Sequence, residues 1–147
     1  MFQKKKNHSL LVAWQKEFGL PSFSRGFHLI DDLIQDQLDL GSVSGILHIF
    51  IQHTSAGLTI NENADPSVRV DFESSFNHLI KEQEPFYTHI YEGDDDMPAH
   101  IKSTLVGSSV TVPITNGKMN LGTWQGVYLC EFRNQGGARK LVLTFTH

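Results

Sequence analysis

Residues 46–62 read Ile46-Leu-His-Ile-Phe-Ile-Gln-His-Thr-Ser-Ala-Gly-Leu-Thr-Ile-Asn-Glu62. From 46 to 53 the residues are β-favouring and alternate in two files. Leu47, Ile49, Ile51 and His53 share one face; Ile46, His48, Phe50 and Gln52 share the other. The pattern predicts a strand with one buried face. Thr54 to Gly57 is small and polar, which predicts a turn, and Leu58, Ile60 and Glu62 line one face of a second strand. Two chemical groups sit at the ends of this unit. His53 closes the first strand on its apolar face, followed at once by the hydroxyls of Thr54 and Ser55. Glu62 ends an apolar face, where a carboxylate must be paired, metal-bound or protonated.

Downstream, Asp65-Pro66 opens the main helix, with Asp65 as N-cap and Pro66 at the first helical position. Val68, Phe72, Phe76, Leu79 and Ile80 follow at helical spacing. Another short helix is predicted from Asp96-Met97-Pro98 to a stop at Gly107. The chain then reads as three strands. The segment 108–114 leads into the Asn116-Gly117 turn, and 126–133 and 139–146 are joined by a glycine-containing hairpin loop at 134–138. Upstream, residues 13–30 read as two short strands around Ser24-Arg25-Gly26, and Asp31 reads as the cap of a short helix. About seven strands and three helices without a βαβ rhythm predict an α+β fold with mostly antiparallel sheet.

The organisation expected is an N-terminal extension, residues 1–12, and a single domain, 13–147. The extension carries Lys4, Lys5 and Lys6 before a short apolar stretch that is too brief for a secretion signal, and it is expected to be the most mobile part. Of 147 residues, 39% are hydrophobic and 19% charged, the composition of a globular domain with a real core. No apolar run reaches the ~20 residues that span a bilayer. A net charge of −4 argues against a general nucleic-acid binder. The single cysteine, Cys130, excludes an internal disulfide and a Cys-rich zinc site, and the expected location is the cytoplasm.

Charge is concentrated rather than spread. Residues 62–96 carry ten acids and two bases, whereas 97–147 carry five bases and one acid. Such a middle block is either a solvated acidic face or a carboxylate-rich site. Histidines His48, His53, His78, His89 and His100 lie in or near it. The run His89-Ile-Tyr-Glu-Gly-Asp-Asp-Asp-Met-Pro-Ala-His100 sets two imidazoles around a carboxylate loop, chemistry that suits zinc and similar transition ions. With His53 as a third ligand, His89 and His100 make a candidate metal set; Asp95 and Asp96 read better as helix caps than as ligands. The piece Leu121-Gly-Thr-Trp-Gln-Gly126 brackets Trp124 and Gln125 with glycines, as a ligand-approaching backbone or as a bend whose Trp fills a gap. Cys130 alternates with Tyr128 and Phe132 and reads as a buried hydrophobe. Arg133, Arg139 and Lys140 read as solvated charges or as a phosphate clamp.

Taken in order, His-Thr-Ser-Ala at 53–56, Asn-Glu-Asn-x-Asp-Pro at 61–66, Tyr-Glu-Gly-x-Asp-Asp-Met-Pro-x-His at 91–100 and Gly-Thr-Trp-Gln-Gly at 122–126 resemble the YjbQ-like family, also called the secondary thiamine-phosphate synthase family. With Ser-Arg-Gly-Phe-His at 24–28, the resemblance runs from about Trp14 to Phe145. It implies a two-sheet α+β subunit and a homotrimer with sheets packed about the threefold axis. It also implies an activity joining hydroxymethylpyrimidine diphosphate to a thiazole phosphate, secondary to an unsettled physiological role. The family's motif positions fall on His53, Glu62, Asp65, His89, His100, Trp124 and Gln125.

The expected function is therefore a metal-assisted enzyme acting on a small phosphorylated metabolite. In this reading His53, His89 and His100 bind a divalent ion, zinc or a similar transition metal, with magnesium an option beside a diphosphate. His53 and Glu62 are the catalytic candidates. Thr54, Ser55, Asn61, Asp65, Trp124, Gln125 and Arg139 are the substrate-binding candidates. A metal-dependent hydrolase would use the same site, and a non-catalytic trimeric binder of a metal or phosphometabolite would use the same residues without turnover. Neither nucleic acid nor membrane is expected as a partner.

Overall fold

A computed structural model describes residues 13–147; the predicted extension, 1–12, lies outside them. The strands are β1 (Ala13–Gly19), β2 (Gly26–Leu29), β3 (Gly45–Ile51), β4 (Ala56–Glu62), β5 (Ser109–Thr115), β6 (Lys118–Met119), β7 (Gln125–Glu131) and β8 (Lys140–Thr146). The helices are α1 (Asp31–Gln35), α2 (Pro66–Leu79) and α3 (Asp96–Val106). The fold is α+β, with every strand pair antiparallel. The eighth strand, beyond the seven expected, is the two-residue β6.

One sheet has the order β1-β8-β3-β5-β6 and the other β2-β7-β4. The alternation read at 46–53 decides which way the larger sheet faces. Leu47, Ile49 and Ile51 are buried, while Ile46 and Phe50 are exposed. Leu141, Leu143 and Phe145 of β8 and Val112 and Ile114 of β5 join the buried file, and Leu58, Val127 and Leu129 close the core from the smaller sheet. The smaller sheet is covered on its other face as well. There Phe27, Tyr128, Cys130 and Phe132 pack with Ala99 of α3 and with Phe72 and Phe76 of α2. The molecule therefore has three layers: large sheet, small sheet, helices. A strand in the middle layer has no solvent face, and Gly126 to Glu131 of β7 are all buried.

Two of the connections between the sheets meet at one end. The 52–55 turn carries the chain from β3 in the large sheet to β4 in the small one. The loop after β7 carries it back to β8, so 134–138 is not the hairpin loop the sequence suggested. The reason is burial: β7, apolar on both faces, belongs in the middle layer, whereas alternating β8 suits a sheet with one open face. The Asn116-Gly117 turn is the expected hairpin, joining Thr115 to Lys118 with both turn residues at positive φ (51° and 78°).

Helix α2 starts as predicted, with Asp65 Oδ1 accepting the Ser67 N–H at 2.8 Å. Asp31 does not cap α1; its Oδ1 accepts the Val127 N–H at 2.7 Å and ties the helix to β7. Asp95 and Asp96 make no side-chain cap on α3 either. Gly57 lets α3 press on β4: a Cβ there would stand 2.8 Å from the Gly107 carbonyl oxygen, which accepts the Leu58 N–H at 3.0 Å.

Lys102 of α3 is 1% exposed, and its Nζ donates to Asn77 Oδ1 at 2.7 Å, the oxygen that also accepts from Arg25. Burial, then the Arg25 charge, push its pKa down to about 8. Between that value and the ordinary 10.5 the unfolded chain binds more protons than the folded one, so stability rises with pH across this window. Denaturant titrations should show wild type gaining on Lys102→Met by on the order of 1–3 kcal/mol between pH 7 and pH 10.

Candidate metal centre and the cavity beside it

The end of the molecule where the sheets interconnect holds a chain of buried charge. Glu131 is 0% exposed and ends the middle-layer strand β7. Arg139 returns to meet it with two bonds, Nε to Oε2 and Nη2 to Oε1, each 2.6 Å. The same guanidinium reaches Ser55 Oγ at 3.1 Å. Arg139 is therefore spent on a buried carboxylate, not presented to a phosphate. Ser55 is buried with it.

His53 stands next to this pair. Its Nε2 accepts the Lys140 backbone N–H at 2.8 Å, and Arg139 Nη1 lies 3.5 Å from Nδ1. Burial, then the nearby Arg139 charge, lower its pKa, which keeps the ring neutral. With the Nε2 lone pair occupied by a backbone donor, His53 stands outside the group of converging ligand atoms described next.

That group is His89, Glu92, Asp96 and His100, each offering one donor atom, all within 4.8 Å of one another. Asp96 is its centre, 2% exposed at the side chain: Oδ2 lies 2.7 Å from His89 Nε2 and 3.3 Å from His100 Nε2. Glu92 Oε2 is 3.0 Å from the same His89 nitrogen. The helix places Asp96 and His100 one turn apart on one face. The residues 89–95 bring His89 and Glu92 back over that turn.

The tautomer of His100 follows from its partner. Nδ1 lies 3.0 Å from the Thr54 carbonyl oxygen, which only accepts, so Nδ1 carries the proton. In the neutral ring the Nε2 lone pair then faces the Asp96 carboxylate. Two acceptors face each other, and a cation is needed between them. A proton meets that need, and so does a metal ion. A histidine that donates its second N–H to a backbone carbonyl is also the usual metal-binding arrangement. Two imidazoles and two carboxylates suit zinc and its neighbours, and ligand atoms on such an ion lie about 3.4 Å apart at ~2.1 Å bond lengths. The observed separations include 2.7, 3.0 and 3.3 Å, and all lie within 4.8 Å, so they fall on both sides of that value.

Arg133 holds the loop that carries these ligands. Its Nε donates to Asp95 Oδ2 at 3.0 Å, its Nη1 to Asp96 Oδ1, and its Nη2 to the Glu92 carbonyl at 2.8 Å. Burial pushes the Asp96 carboxyl up, but the His89 hydrogen bond and the Arg133 charge outweigh it and hold the pKa below the usual range. Asp95 is held low in the same way, burial being outweighed by the Asn134 N–H and Arg133. These two carboxylates are thus not caps: one anchors the loop, and the other joins the donor group. Glu92 and Asp96 were not in the ligand set read from sequence. The signal was the i, i+4 pair Asp96/His100 in α3, hidden by the capping role their position suggested.

Beside the donor group lies a cavity of about 410 Å3, lined by His53, Thr54, His100, Ser103, Thr104 and Ser108 among others. Ser103 Oγ donates to the Thr54 carbonyl at 2.6 Å and Thr104 Oγ1 to the His100 carbonyl at 2.9 Å. Among the described residues the Thr54 and Ser108 hydroxyls have no side-chain hydrogen bond and remain free as donors.

The other sequence candidates are elsewhere. Asn61, Glu62, Trp124 and Gln125 line a separate cavity. Glu62 pairs with Gln125, and Ala56 with Glu131, at opposite ends of the β4·β7 ladder. Seven residues of strand, at about 3.3 Å each, put the two ends roughly 20 Å apart. Asp65 is an exposed cap at the far end.

The comparisons with known proteins accord with this architecture. The model of the family described as UPF0047 protein YjbQ-like matches residues 16–147. The chain belongs to the YjbQ/UPF0047 family. It is 48% identical over 133 residues to the UPF0047 protein YjbQ of Escherichia coli, spanning 89% of this chain and 96% of that protein. It is 43% identical over 94 residues to YugU of Bacillus subtilis, 64% of this chain and 69% of that one. Among solved structures, a YjbQ/UPF0047 protein of Clostridium acetobutylicum superposes with a TM-score of 0.78 at 38% identity, covering 88% of this chain and 98% of that chain. A conserved hypothetical protein of Thermus thermophilus gives 0.78 at 30% identity, covering 87% and 97%.

Two outcomes follow. Arg133→Met should weaken Co2+ binding, read from its visible absorption under chelator competition, by about 10–100-fold, with Arg133→Lys recovering part of the loss. Arg139→Met leaves Glu131 buried and unpaired and should cost about 3–5 kcal/mol in urea denaturation, far more than a surface arginine.

Proposed function

We propose that the chain is a metal-assisted enzyme for a small phosphorylated metabolite. A divalent transition-metal ion would be held by His89, Glu92, Asp96 and His100, and the substrate by the adjoining cavity. The observation that carries this reading is the convergence of four donor atoms, from His89, Glu92, Asp96 and His100, within 4.8 Å of one another, with His100 Nδ1 committed to Thr54. The cavity supports the substrate class. It is lined by hydroxyls and imidazoles, it carries no carboxylate among the described residues, and the free hydroxyls of Thr54 and Ser108 suit phosphoryl oxygens.

When bound, such an ion supplies Lewis-acid polarisation of a phosphoryl oxygen. The protein's own residues supply the rest. Neutral His53 is fixed by the Lys140 N–H on the cavity wall, where it orients a substrate oxygen. Arg133 keeps Asp95 and Asp96 ionised and the 92–96 loop in place. Condensation of a pyrimidine diphosphate with a thiazole phosphate, the activity implied by the family resemblance, is the finer form of this proposal. Stabilisation of a departing diphosphate is a task such a site can perform. We further propose that the chain works as a trimer, packing on the outer face of the large sheet, where Ile46 and Phe50 are exposed.

Elemental analysis of tag-free protein tests the metal assignment. The expected result is near one transition-metal ion per chain, lost in His89→Ala and in His100→Ala. Wild type that takes up no ion after incubation with zinc, manganese, nickel or iron overturns it. Incubation of loaded protein with the two thiamine precursors then tests the finer reading. Thiamine phosphate formed by wild type and reduced at least tenfold in His100→Ala supports it. Release of phosphate without condensation, or binding without turnover, replaces it with a hydrolase or a binding protein.

A further inference from the structure

The far end of the β4·β7 ladder is left without a role by the metal centre, although the sequence singled out its residues. Asn61, Glu62, Trp124 and Gln125 line a cavity of about 500 Å3 there. Through Gln125 it adjoins a larger one of about 880 Å3, whose wall includes Leu29, Leu33 and the carboxylates of Asp31 and Asp32.

Three observations set this cleft apart from ordinary surface. First, Trp124 is 64% exposed although its backbone is pinned. The Trp124 carbonyl accepts the Asn63 N–H at 2.8 Å, the next carbonyl accepts Asn63 Nδ2 at 2.8 Å, and Gln125 Oε1 accepts the Gly122 N–H at 2.8 Å. The turn is rigid, and the indole is left outside it. Second, the Glu62 carboxylate, at the end of an otherwise apolar file, has no hydrogen-bond or ion-pair partner among the described residues. Only its backbone is engaged, the carbonyl accepting from Tyr128 Oη. Third, among the described residues the lining carries Glu62, Asp31 and Asp32 against one cation, Lys118. An open indole face beside an unpaired carboxylate in an anionic, partly apolar cleft is the environment that attracts an organic ammonium through ring quadrupole and charge together.

We propose that this cleft is a second ligand site, separate from the metal centre, that takes a small organic cation: an ammonium on a compact apolar body, seated on Trp124 and neutralised by Glu62. The proposal rests on residues at the opposite end of the ladder, roughly 20 Å from Ala56 and Glu131, and stands whether or not a metal binds at the donor group. A second copy of the chain is the rival occupant of an exposed tryptophan, and the test separates the two.

The probe is choline, against its uncharged isostere in which a tert-butyl group replaces the trimethylammonium. Trp124 emission is read in full-length Trp14→Phe protein. If that variant does not fold, it is read as the difference between wild type and Trp124→Leu. Choline should change the emission saturably, and the isostere should bind about tenfold more weakly. Glu62→Gln should weaken choline severalfold while His100→Ala leaves it unchanged, so failure of the metal reading and failure of this one are distinguishable. Equal binding of both probes, no saturable response, or loss of choline binding in His100→Ala overturns the proposal. So does Trp124 emission that shifts only as the protein dissociates on dilution in sedimentation, which assigns the face to a second copy.

Discussion

Glu131 is the constraint on which the architecture turns. It ends a strand buried on both faces, so its carboxylate cannot reach water. An unpaired charge there would cost several kcal/mol. Arg139 meets it with two bonds from just ahead of β8, which lies in the other sheet, and the Arg133 N–H adds a third at 3.0 Å. That requirement fixes the path of the chain between the sheets. Gly136 is part of the solution: a Cβ there would lie 2.5 Å from both the Glu131 carboxylate and the Arg139 guanidinium.

The consequences run outward from the ion pair. Arg139 steadies Ser55 and sits beside His53 on the 52–55 crossover from β3 to β4. Arg133, its backbone tied to Glu131, sends its side chain into the loop that carries Glu92 and Asp96. The donor group is thus half on α3, through Asp96 and His100, and half on the irregular segment of His89 and Glu92, which Arg133 bonds to a strand end. Positions on loops gain precision in this way only when their supports are buried and satisfied.

The two ends of the β4·β7 ladder have different electrostatics. At the crossover end carboxylates are matched by arginines and imidazoles. At the far end Glu62, Asp31 and Asp32 outnumber Lys118 beside an open indole. A chain with a modest net charge of −4 can thus hold two ends of different charge balance, because solvent screens charges about 20 Å apart.

Much of the fold was legible in the sequence. The files 47/49/51 and 46/48/50, the Asp65-Pro66 helix start, the Gly107 stop and the Asn116-Gly117 turn all depend on neighbours within a few residues. Periodicity, capping and turn chemistry are local, so sequence by itself determined them. It also gathered the residues worth testing, though as one site. Tertiary structure alone decided the rest. Which sheet each strand joins depends on what covers its second face, as β7 and β8 show. Arg139 became a buried counter-ion because Glu131, eight residues earlier, is sealed by other layers. Asp96 moved from cap to centre of a donor group because Arg133 and His89 reach it across the fold. Glu62 and Trp124 parted from the histidines because a straight strand holds its ends apart, and spacing in sequence carries no record of direction in space.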